Sequence, residues 1–340
     1  MIEIEVSANI PYKVVVGNGI LDNIGNYLKE NIKTGKAALI TDTNVAKLYS
    51  DRVCKSLVNS GIEVVSKAIP SGEQYKNFAT FKDISEFLAD NRLTRNDTVL
   101  SLGGGVVSDV AGFAASCYLR GIRHIILPTT LLNIIDASIG GKTAIDIENG
   151  KNLVGAFHQP SLVYSDLDTL KTLDKDNLIC GIGEGIKYAL LQGGECFEII
   201  KNGLSEENFN RFVVSCIKYK IDIVQKDERE GNIRKLLNFG HTYGHAFEQA
   251  SGYSIPHGAA VVLGILEIVK KFPENLTETD ISDILKIAVK YGFDRYKVPV
   301  GNISSYIQMD KKRDTKSTID LVLLNKIGKP IIKNMPTEEL

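Results

Sequence analysis

Two histidines four residues apart are the side chains of this sequence best suited to hold a metal ion. The segment NIRKLLNFGHTYGHAFEQA carries four polar residues at spacings of four, three and four: Arg234, Asn238, His241 and His245. On an α-helix these spacings place all four side chains on one stripe, so that both imidazoles can converge on one centre. A solvated helix face more often carries Lys and Glu, and a single histidine is more often a satisfied core group. The pair therefore favours a metal site.

A metal held by histidines needs further ligands. Glu184 in CGIGEGIKYALL and His257 in SIPHGAAVVLG both stand near the predicted start of a helix. One carboxylate and two histidines leave an open coordination position, as in catalytic zinc sites. Spacing does not decide which two of the three histidines bind. A metal ion with an open position lowers the proton affinity of a hydroxyl or polarises a carbonyl.

Three consecutive glycines form a candidate phosphate-binding turn. In DTVLSLGGGVVSDVAGFAASCYLRG a buried strand ends at Leu102, the glycines 103–105 follow, and a helix then begins. This geometry presents backbone N–H groups and a positive helix end to a pyrophosphate. The segment is not a strict GxGxxG, and a tight turn without a ligand explains it equally well. In a second candidate cofactor loop, SGEQYKN, Glu73 suits a ribose hydroxyl and Lys76 a phosphate, but the segment alone is a weak signal and a solvated loop explains it better.

Glycines beside lysines indicate an anion held close to the backbone. In LPTTLLNIIDASIGGKTAIDIENGKNLVGAFHQP, Lys142 follows two glycines and Lys151 follows Gly150. Each lysine taken singly is more often an exposed amine. Further cations flank the motifs: Arg120, Lys187, Lys220, Arg234 and the run 311–313. In a nearly neutral chain, so many cations predict a polyanionic substrate that carries phosphate and carboxylate.

Alternating strands and helices position these residues in the first half of the chain. Strands are predicted at 3–8, 12–17, 36–42, 62–70, 97–102, 124–130 and 162–166, with helices such as 44–60 and 77–90 between them. This order predicts a doubly wound, mostly parallel sheet. Beyond about residue 170, helices are predicted at 178–192, 207–226, 233–250, 258–271 and 278–291, with extended segments at 319–324 and 330–333. We therefore expect an α/β domain over 1–169, a mainly α-helical domain over 170–340, and a site in the cleft between them.

Composition excludes several classes of function. Lys+Arg number 40 and Asp+Glu 41, for a net charge of −1, so no basic surplus supports nucleic-acid binding. The 5 cysteines are scattered without a CxxC pair, which predicts reduced thiols and a cytoplasmic protein. The sequence shows no secretory leader and no apolar run long enough to cross a membrane. A small-molecule enzyme without membrane or nucleic-acid partners is expected.

Ten segments together resemble the 3-dehydroquinate synthase family of the sugar-phosphate cyclase superfamily. They cover nearly the whole chain in the order SGEQYK, GGGVVSDVAGFAAS, YLRG, PTTLL, IGGKTAI, GKNLVGAFHQP, GEGIKYALL, KDEREGNIRKLLNFGHTYGHAFE, HGAAV and MDKKR. Most are weak singly, but the set is specific. The resemblance implies an NAD-binding α/β domain, a helical metal domain and a cytosolic, usually dimeric lyase.

The resemblance also implies roles for individual residues. It assigns Zn²⁺ or Co²⁺ to Glu184, His241 and His257, and it makes His245 a residue that either supports the metal ligands or handles protons beside the substrate. The implied NAD contacts are Asp42, Ser71, Gly72, Glu73, Gln74, Tyr75, Lys76, Gly104, Gly105, Val106, Val107, Ser108, Asp109, Thr129, Thr130, Lys142, Lys151, Asp168, Thr169, Leu170, Lys171 and Thr172. The implied substrate and catalytic residues are Asp136, Lys142, Lys151, Asn152, Lys187, Lys220, Arg234, Asn238, one of Lys311 and Lys312, and Arg120 reaching across a dimer.

The implied reaction converts 3-deoxy-D-arabino-heptulosonate 7-phosphate into 3-dehydroquinate and phosphate. A ring hydroxyl is oxidised by NAD, phosphate is eliminated, the hydride is returned, and an intramolecular aldol step closes the carbocycle. Three positions depart from the usual family pattern: Gly183 precedes Glu184 where alanine is common, Ala259 stands where an acid is common, and Leu173 follows Thr172 where proline is common. None of them removes an implied ligand or cation.

Three other functions compete with this interpretation. Another sugar-phosphate cyclase, of the aminodehydroquinate or deoxy-inosose synthase type, is disfavoured where its substrate lacks a carboxylate, because Arg234 and Lys220 would then be idle. A polyol or glycerol-1-phosphate dehydrogenase would need fewer cations. A catalytically silent binding module would not need an intact set of ligands and lysines.

Overall fold

Alternating strands and helices build the first of two compact units, residues 1–173. The computed structural model of the protein describes residues 1–299, 303–311 and 318–340, except the side chains of 308–311. The strands of the first unit are β1 (Ile2–Val6), β2 (Tyr12–Gly17), β3 (Lys36–Asp42), β4 (Glu63–Ile69), β5 (Thr98–Gly103), β6 (Arg123–Pro128), β7 (Lys142–Ile147), β8 (Gly150–Phe157) and β9 (Leu162–Asp166). Its helices are α1 (Ile24–Asn31), α2 (Thr43–Val45), α3 (Asp51–Asn59), α4 (Phe78–Asp90) and α5 (Gly105–Cys117); a π-helical turn, Ala46–Ser50, joins α2 to α3.

Seven strands form one sheet in the order β1-β2-β9-β6-β5-β3-β4. The pair β1–β2 is antiparallel, and the other neighbours are parallel. Successive residues of β3 pack on opposite faces: Leu39 joins a core with α1 and α3, and Ile40 joins a core with α4 and α5. Side chains alternate along a strand, so a strand covered on both faces is apolar throughout. The predicted doubly wound, mostly parallel fold is confirmed, and each of the seven strands predicted for the first unit is present with ends shifted by at most two residues.

A two-stranded hairpin, β7–β8, was not predicted. It pairs Lys142 with Phe157 at its open end and Ile147 with Gly150 near its turn. A Cβ atom at Gly155 would lie 2.1 Å from the carbonyl oxygen of Thr143, so this strand pair needs glycine there. Lys142, Gly150 and Lys151, which made the segment look like an anion-binding loop, lie in these paired strands, and Gly140 and Gly141 directly precede β7.

The second unit, residues 174–340, is mainly helical. Its helices are α6 (Lys175–Gln192), α7 (Gly194–Asn202), α8 (Glu206–Lys226), α9 (His241–Ala250), α10 (His257–Lys271), α11 (Glu278–Lys290) and α12 (Ile303–Lys311). A hairpin of β10 (Thr318–Lys326) and β11 (Lys329–Pro336) follows. In the part of the chain that the structure describes, no helix combines the length and apolarity needed to cross a membrane.

The predicted continuous helix over 233–250 is wrong. A 3₁₀ helix covers Ile233–Asn238, and α9 begins only at His241. Between them Gly240 has φ +81°, a left-handed conformation that an α-helix cannot contain. A Cβ atom there would lie 2.6 Å from the carbonyl oxygen of Val261 on α10, so the glycine also allows a close helix contact. Arg234 and Asn238 therefore do not share a helical stripe with the two histidines of α9.

Candidate active site

Three side chains from three helices converge in the second unit. Glu184 on α6 is fully buried, and its Oε1 atom lies 3.4 Å from Nε2 of His241 on α9. The same oxygen lies 3.4 Å from Nε2 of His257 on α10. One ligand atom from each residue lies within 4.8 Å of the other two, which is the spacing of a metal ligand set.

Glycines at the helix crossings let these three helices approach. A Cβ atom at Gly183 on α6 would lie 2.3 Å from the carbonyl oxygen of Gly258 on α10. A Cβ atom at Gly264 would lie 2.0 Å from the carbonyl oxygen of Gly240, and one at Gly244 would lie 3.1 Å from that of Ala260. Gly240 and Gly244 thus admit the backbone of α10 at close range. The positions of the ligand side chains follow from these backbone contacts.

Hydrogen bonds fix the orientation of both histidine rings. The Nδ1 atom of His241 lies 3.2 Å from the carbonyl oxygen of Phe239, and Nδ1 of His257 lies 3.1 Å from Oε2 of Glu248. An N–H at Nδ1 satisfies both acceptors and leaves the lone pair of each Nε2 facing Glu184. This donor set fits a divalent metal ion such as Zn²⁺ or Co²⁺.

The two histidines differ in their proton affinity. Burial lowers the pKa of His241 well below its usual value, and the nearby Lys187 ammonium adds to this effect. Burial also opposes the charged form of His257, but hydrogen bonds to Glu184 and Glu248 outweigh it and raise the pKa of His257 to about 10. Metal binding at Nε2 therefore has to displace a proton from His257.

His245 lies beside this ligand set, one turn along α9. Its ring centroid is 5.4 Å from that of His241 and 5.9 Å from that of His257. Its nitrogen belongs to a second convergent group with Glu248 and His257. Glu248 was not singled out from the sequence, although it lies three residues after His245 on the same face of α9.

Three cations of the second unit are nearly inaccessible to solvent. Lys187 is 1 % exposed and forms an ion pair with Glu184. Lys220 on α8 is 7 % exposed and Arg234 is 1 % exposed. Buried cations are costly unless anions compensate them. The backbone N–H of Arg234 donates to Oδ2 of Asp227, and its guanidinium donates to a backbone carbonyl, so one face of this cation is fixed by the fold.

The glycine turn of the first unit has the expected strand–turn–helix form. β5 ends at Gly103, Gly104 is extended, and α5 begins at Gly105. Among the described residues, no side chain caps α5 by a hydrogen bond. A Cβ atom at Gly104 would lie 3.0 Å from Cγ2 of Thr130, which leaves little room for any other residue. The helix start therefore offers backbone N–H groups to an anion.

An ion-pair network joins three predicted segments of the first unit. The Nζ atom of Lys76 lies 2.6 Å from Oδ2 of Asp109 on α5 and donates to Oδ1 of Asn152 on β8. Asp146 accepts from the backbone N–H of Asn152 at 2.8 Å, and its own N–H donates to the Lys76 carbonyl at 2.7 Å. Burial raises the pKa of Asp109, and the Lys76 charge opposes that rise. Sequence reasoning did not identify Asp146.

The remaining predicted cofactor residues lie near this network or support the fold. Oδ1 of Asp42 caps α2, and the Asn44 side chain donates to Ser71 at 3.1 Å, so the loops after β3 and β4 are adjacent. The 3₁₀ turn Glu73–Tyr75 follows Gly72, and Oε1 of Glu73 lies 3.9 Å from Nζ of Lys151. Val107 belongs to the hydrophobic core, so its side chain does not face a ligand.

Several predicted cofactor residues are hydrogen-bonded to other residues of the first unit. The Ser108 hydroxyl donates to the carbonyl of Gly105, Thr130 accepts from Asn133, and Asp168 pairs with Lys171. Thr129 donates its N–H to Gly103, and Thr172 bonds to the hydroxyl of Tyr49 at 2.5 Å. Thr169 and Leu170 lie in the 3₁₀ turn Leu167–Thr172.

The remaining residues that were predicted to contact the substrate lie on different elements of the fold. Asp136 lies in the π-helical turn Asn133–Ala137, Lys142 is exposed at the start of β7, and Arg120 is exposed with φ +65°. The exposed Asn238 donates to Oε1 of Glu230 at 3.1 Å. The Lys311 side chain and all of Lys312 lie outside the described residues.

Two models of known protein families together match most of the chain. Residues 66–180 match the family model described as 3-dehydroquinate synthase N-terminal, and residues 181–313 match the model described as 3-dehydroquinate synthase C-terminal. A 3-dehydroquinate synthase of Clostridium acetobutylicum is 39 % identical, with 99 % of this chain and 97 % of the relative covered. One of Streptococcus thermophilus is also 39 % identical, with 100 % and 98 % covered.

Solved structures share the fold over nearly the full length. A 2-deoxy-scyllo-inosose synthase, complexed with carbaglucose-6-phosphate, NAD⁺ and Co²⁺, has a TM-score of 0.89 at 23 % identity, with 99 % of this chain and 98 % of that chain covered. A 2-epi-5-epi-valiolone synthase of Streptomyces hygroscopicus with NAD⁺ and Zn²⁺ bound has a TM-score of 0.84 at 25 % identity, with 96 % and 94 % covered.

Proposed function

Since the chain belongs to the 3-dehydroquinate synthase family, we propose that it acts as a phosphate-eliminating lyase dependent on NAD and a divalent metal ion. The family reaction, which is the function of this chain, converts 3-deoxy-D-arabino-heptulosonate 7-phosphate into 3-dehydroquinate and phosphate. The neighbours solved with NAD⁺ and with Co²⁺ or Zn²⁺ support both cofactors.

The convergence of Glu184, His241 and His257 carries the proposal. Two Nε2 atoms at 3.4 Å from one buried carboxylate oxygen, each oriented through Nδ1, form a ligand set with room for further coordination. A bound Zn²⁺ or Co²⁺ lowers the proton affinity of a coordinated hydroxyl. Lys187 pairs with the other carboxylate oxygen of Glu184 and thereby holds the carboxyl group in position.

The first unit binds the cofactor through its glycine turn and the loop after β4. The N–H groups at the start of α5, with Gly104, Gly105, Val106 and Thr130 around them, would hold the pyrophosphate of NAD. Glu73 would accept hydrogen bonds from a ribose of NAD, and Lys76 and Asp109 would complete the cofactor contacts. Bound NAD would supply reversible hydride transfer, so that the reaction would have no net redox change.

Buried cations recognise the doubly anionic substrate. The fold already removes three charged groups from water, those of Lys187, Lys220 and Arg234. An incoming carboxylate or phosphate would therefore meet positive charge that needs no further desolvation. We assign further substrate contacts to Asp136, Lys142, Lys151, Asn152 and Asn238. Arg120, which is exposed, completes the site of a second chain in a homodimer.

His245 handles the protons of the reaction. Its imidazole lies within one helical turn of His241, and it stands outside the Glu184 ligand group. A histidine in this position can take a proton from a substrate hydroxyl and return it without leaving the metal ligands incomplete.

Phosphate release without net NADH formation tests the proposed function. The purified chain is loaded with NAD and Zn²⁺ and given 3-deoxy-D-arabino-heptulosonate 7-phosphate; phosphate and 340-nm absorbance are followed together. Stoichiometric phosphate with no accumulating NADH is expected. Accumulating NADH indicates a dehydrogenase. Turnover of glucose 6-phosphate, which lacks a carboxylate, instead of the keto acid indicates a deoxy-inosose synthase.

A further inference from the structure

The imidazole of His257 is held between two carboxylates. Its Nε2 atom lies 3.4 Å from Oε1 of Glu184, and its Nδ1 atom, on the opposite side of the ring, lies 3.1 Å from Oε2 of Glu248. Glu248 itself is 7 % exposed. A largely buried carboxylate is costly unless it is hydrogen-bonded, and the imidazole of His257 supplies a hydrogen bond to Glu248.

We propose that Glu248 is a positioning residue of the metal site: its carboxylate accepts the Nδ1–H of His257, fixes the lone pair on Nε2, and strengthens that nitrogen as a metal ligand. The proposal rests on the metal site proposed above. Carboxylate–histidine–metal arrangements of this kind fix the histidine tautomer and raise ligand basicity.

The two histidines are oriented by different means. His241 is held through the backbone carbonyl of Phe239, which no substitution removes, whereas His257 is held through a side chain. Glu248 lies on α9, seven residues after His241 and three after His245, so one helix face supplies a ligand and the acceptor for another ligand. His257 itself begins α10. The Glu248–His257 bond therefore fixes a ring at a helix terminus against the neighbouring helix.

Removing the carboxylate should weaken metal binding selectively. In Glu248→Ala the Nδ1–H of His257 loses its acceptor and the ring is free to rotate or to exchange tautomers. Loss of such a partner lowers metal affinity by about 10- to 100-fold. In Glu248→Gln the amide oxygen still accepts the hydrogen bond but the negative charge is gone, so a smaller loss is expected.

The test measures metal affinity rather than activity. Metal-free wild type, Glu248→Ala and Glu248→Gln are titrated with Zn²⁺ against a chromophoric chelator, and with Co²⁺ while its visible absorption is recorded. Glu267→Gln is the matched control, because it removes a carboxylate from α10 about 15 Å along the helix from His257, where it pairs with Lys271 at 3.7 Å. Circular-dichroism melting confirms that each variant is folded.

We expect wild type and Glu267→Gln to bind metal most tightly, Glu248→Gln less tightly and Glu248→Ala least tightly. The Co²⁺ spectrum of Glu248→Ala should also differ from that of wild type. A folded Glu248→Ala protein with wild-type affinity overturns the inference while the metal site stands. Wild type that binds no metal overturns the proposed metal site and this inference with it. If wild type binds two ions and Glu248→Ala binds one, the inference is also overturned, because Glu248 would then be a ligand of a second ion with His245 and His257.

Discussion

The ammonium group of Lys76 lies 2.6 Å from the carboxylate of Asp109, and both side chains are largely buried, at 5 % and 18 % exposed. This pair ties the loop after β4 to α5. In Lys76→Met, Asp109 keeps its burial but loses its cation. Breaking such a pair costs about 3 kcal/mol. Urea unfolding should record that loss, together with weaker NAD binding.

The double variant Lys76→Met/Asp109→Leu is the control for this pair. Removing both charges avoids the uncompensated carboxylate, so its loss of unfolding free energy should be smaller than the sum of the two single losses. Strictly additive losses would show that the pair does not act as a unit.

Substitution of His257 should remove metal and activity together. His257→Ala deletes one of the nitrogens that face Glu184, and two remaining ligands hold a divalent ion poorly. Metal content after dialysis and phosphate release are measured on the same sample. Chelator-treated wild type, by contrast, should regain activity when Zn²⁺ or Co²⁺ is added. A His257→Ala protein that retains its metal contradicts the ligand assignment.

Arg234→Lys should lower substrate affinity while metal affinity is unchanged. In the proposed contact the buried guanidinium would offer a planar fork to a substrate carboxylate, whereas lysine retains the charge but not the fork. Loss of one charge-assisted hydrogen bond predicts about a tenfold or greater fall in kcat/KM. Zn²⁺ titration serves as the control. An unchanged kcat/KM would place Arg234 outside the substrate contacts.

Stability should fall in mild acid because of a buried histidine in the first unit. Burial, with a smaller contribution from His158, lowers the pKa of His124 from 6.5 to about 3. Below pH 6.5 the imidazole of His124 therefore takes up a proton in the unfolded chain but not in the folded chain. This contribution to stability is complete above pH 6.5 and is lost progressively as the pH falls towards 3, by about 1.4 kcal/mol per pH unit.

The comparison of wild type with His124→Asn isolates this effect. Asparagine can keep a hydrogen bond to Ser101, which lies 2.8 Å from Nε2 of His124, but it does not titrate. Chemical denaturation at pH 6.5 and pH 5 should show about 2 kcal/mol more loss in wild type than in the variant. Equal pH dependence would mean that His124 is not the group responsible.

Gly183→Ala should disturb the metal site from a distance. The added Cβ would lie 2.3 Å from the carbonyl oxygen of Gly258, so α6 and α10 would have to separate. Overpacking of this kind costs about 1–3 kcal/mol, and Glu184 and His257 would move apart with the helices. We expect a lower melting temperature and weaker Zn²⁺ binding. Gly35→Ala, where a Cβ meets nothing within 4 Å, is the matched control.

The sheet was predictable because its signals are local. Apolar runs such as Lys36–Asp42 and Leu162–Asp166 have the length of a strand buried on both faces, and turn residues bound them. The hairpin β7–β8 lacked that signal. Its strand Gly150–Phe157 contains two glycines and is mostly exposed, so long-range pairing rather than composition defines it.

The candidate site was predictable in residue type but not in geometry. Spacing correctly placed His241 and His245 on one helix, yet it extended that helix through Gly240, whose conformation depends on contact with α10. Spacing also did not decide which two of the three histidines bind a metal, because the position of His257 relative to α9 depends on the tertiary packing of the helices. Glu248 was missed for the same reason, since its partner lies on another helix.

The contact between Gly183 and Gly258 has a consequence for engineering the ion preference of this enzyme. The family pattern usually carries alanine before the glutamate, so this chain lacks one methyl group where α6 meets α10, next to Glu184 and His257. The radius selectivity of the proposed metal site should then be tunable without changing any of the three proposed ligand residues. Side-chain volume at position 183 would act as a spacer, and variants graded in size there would shift the balance between cations of different ionic radius.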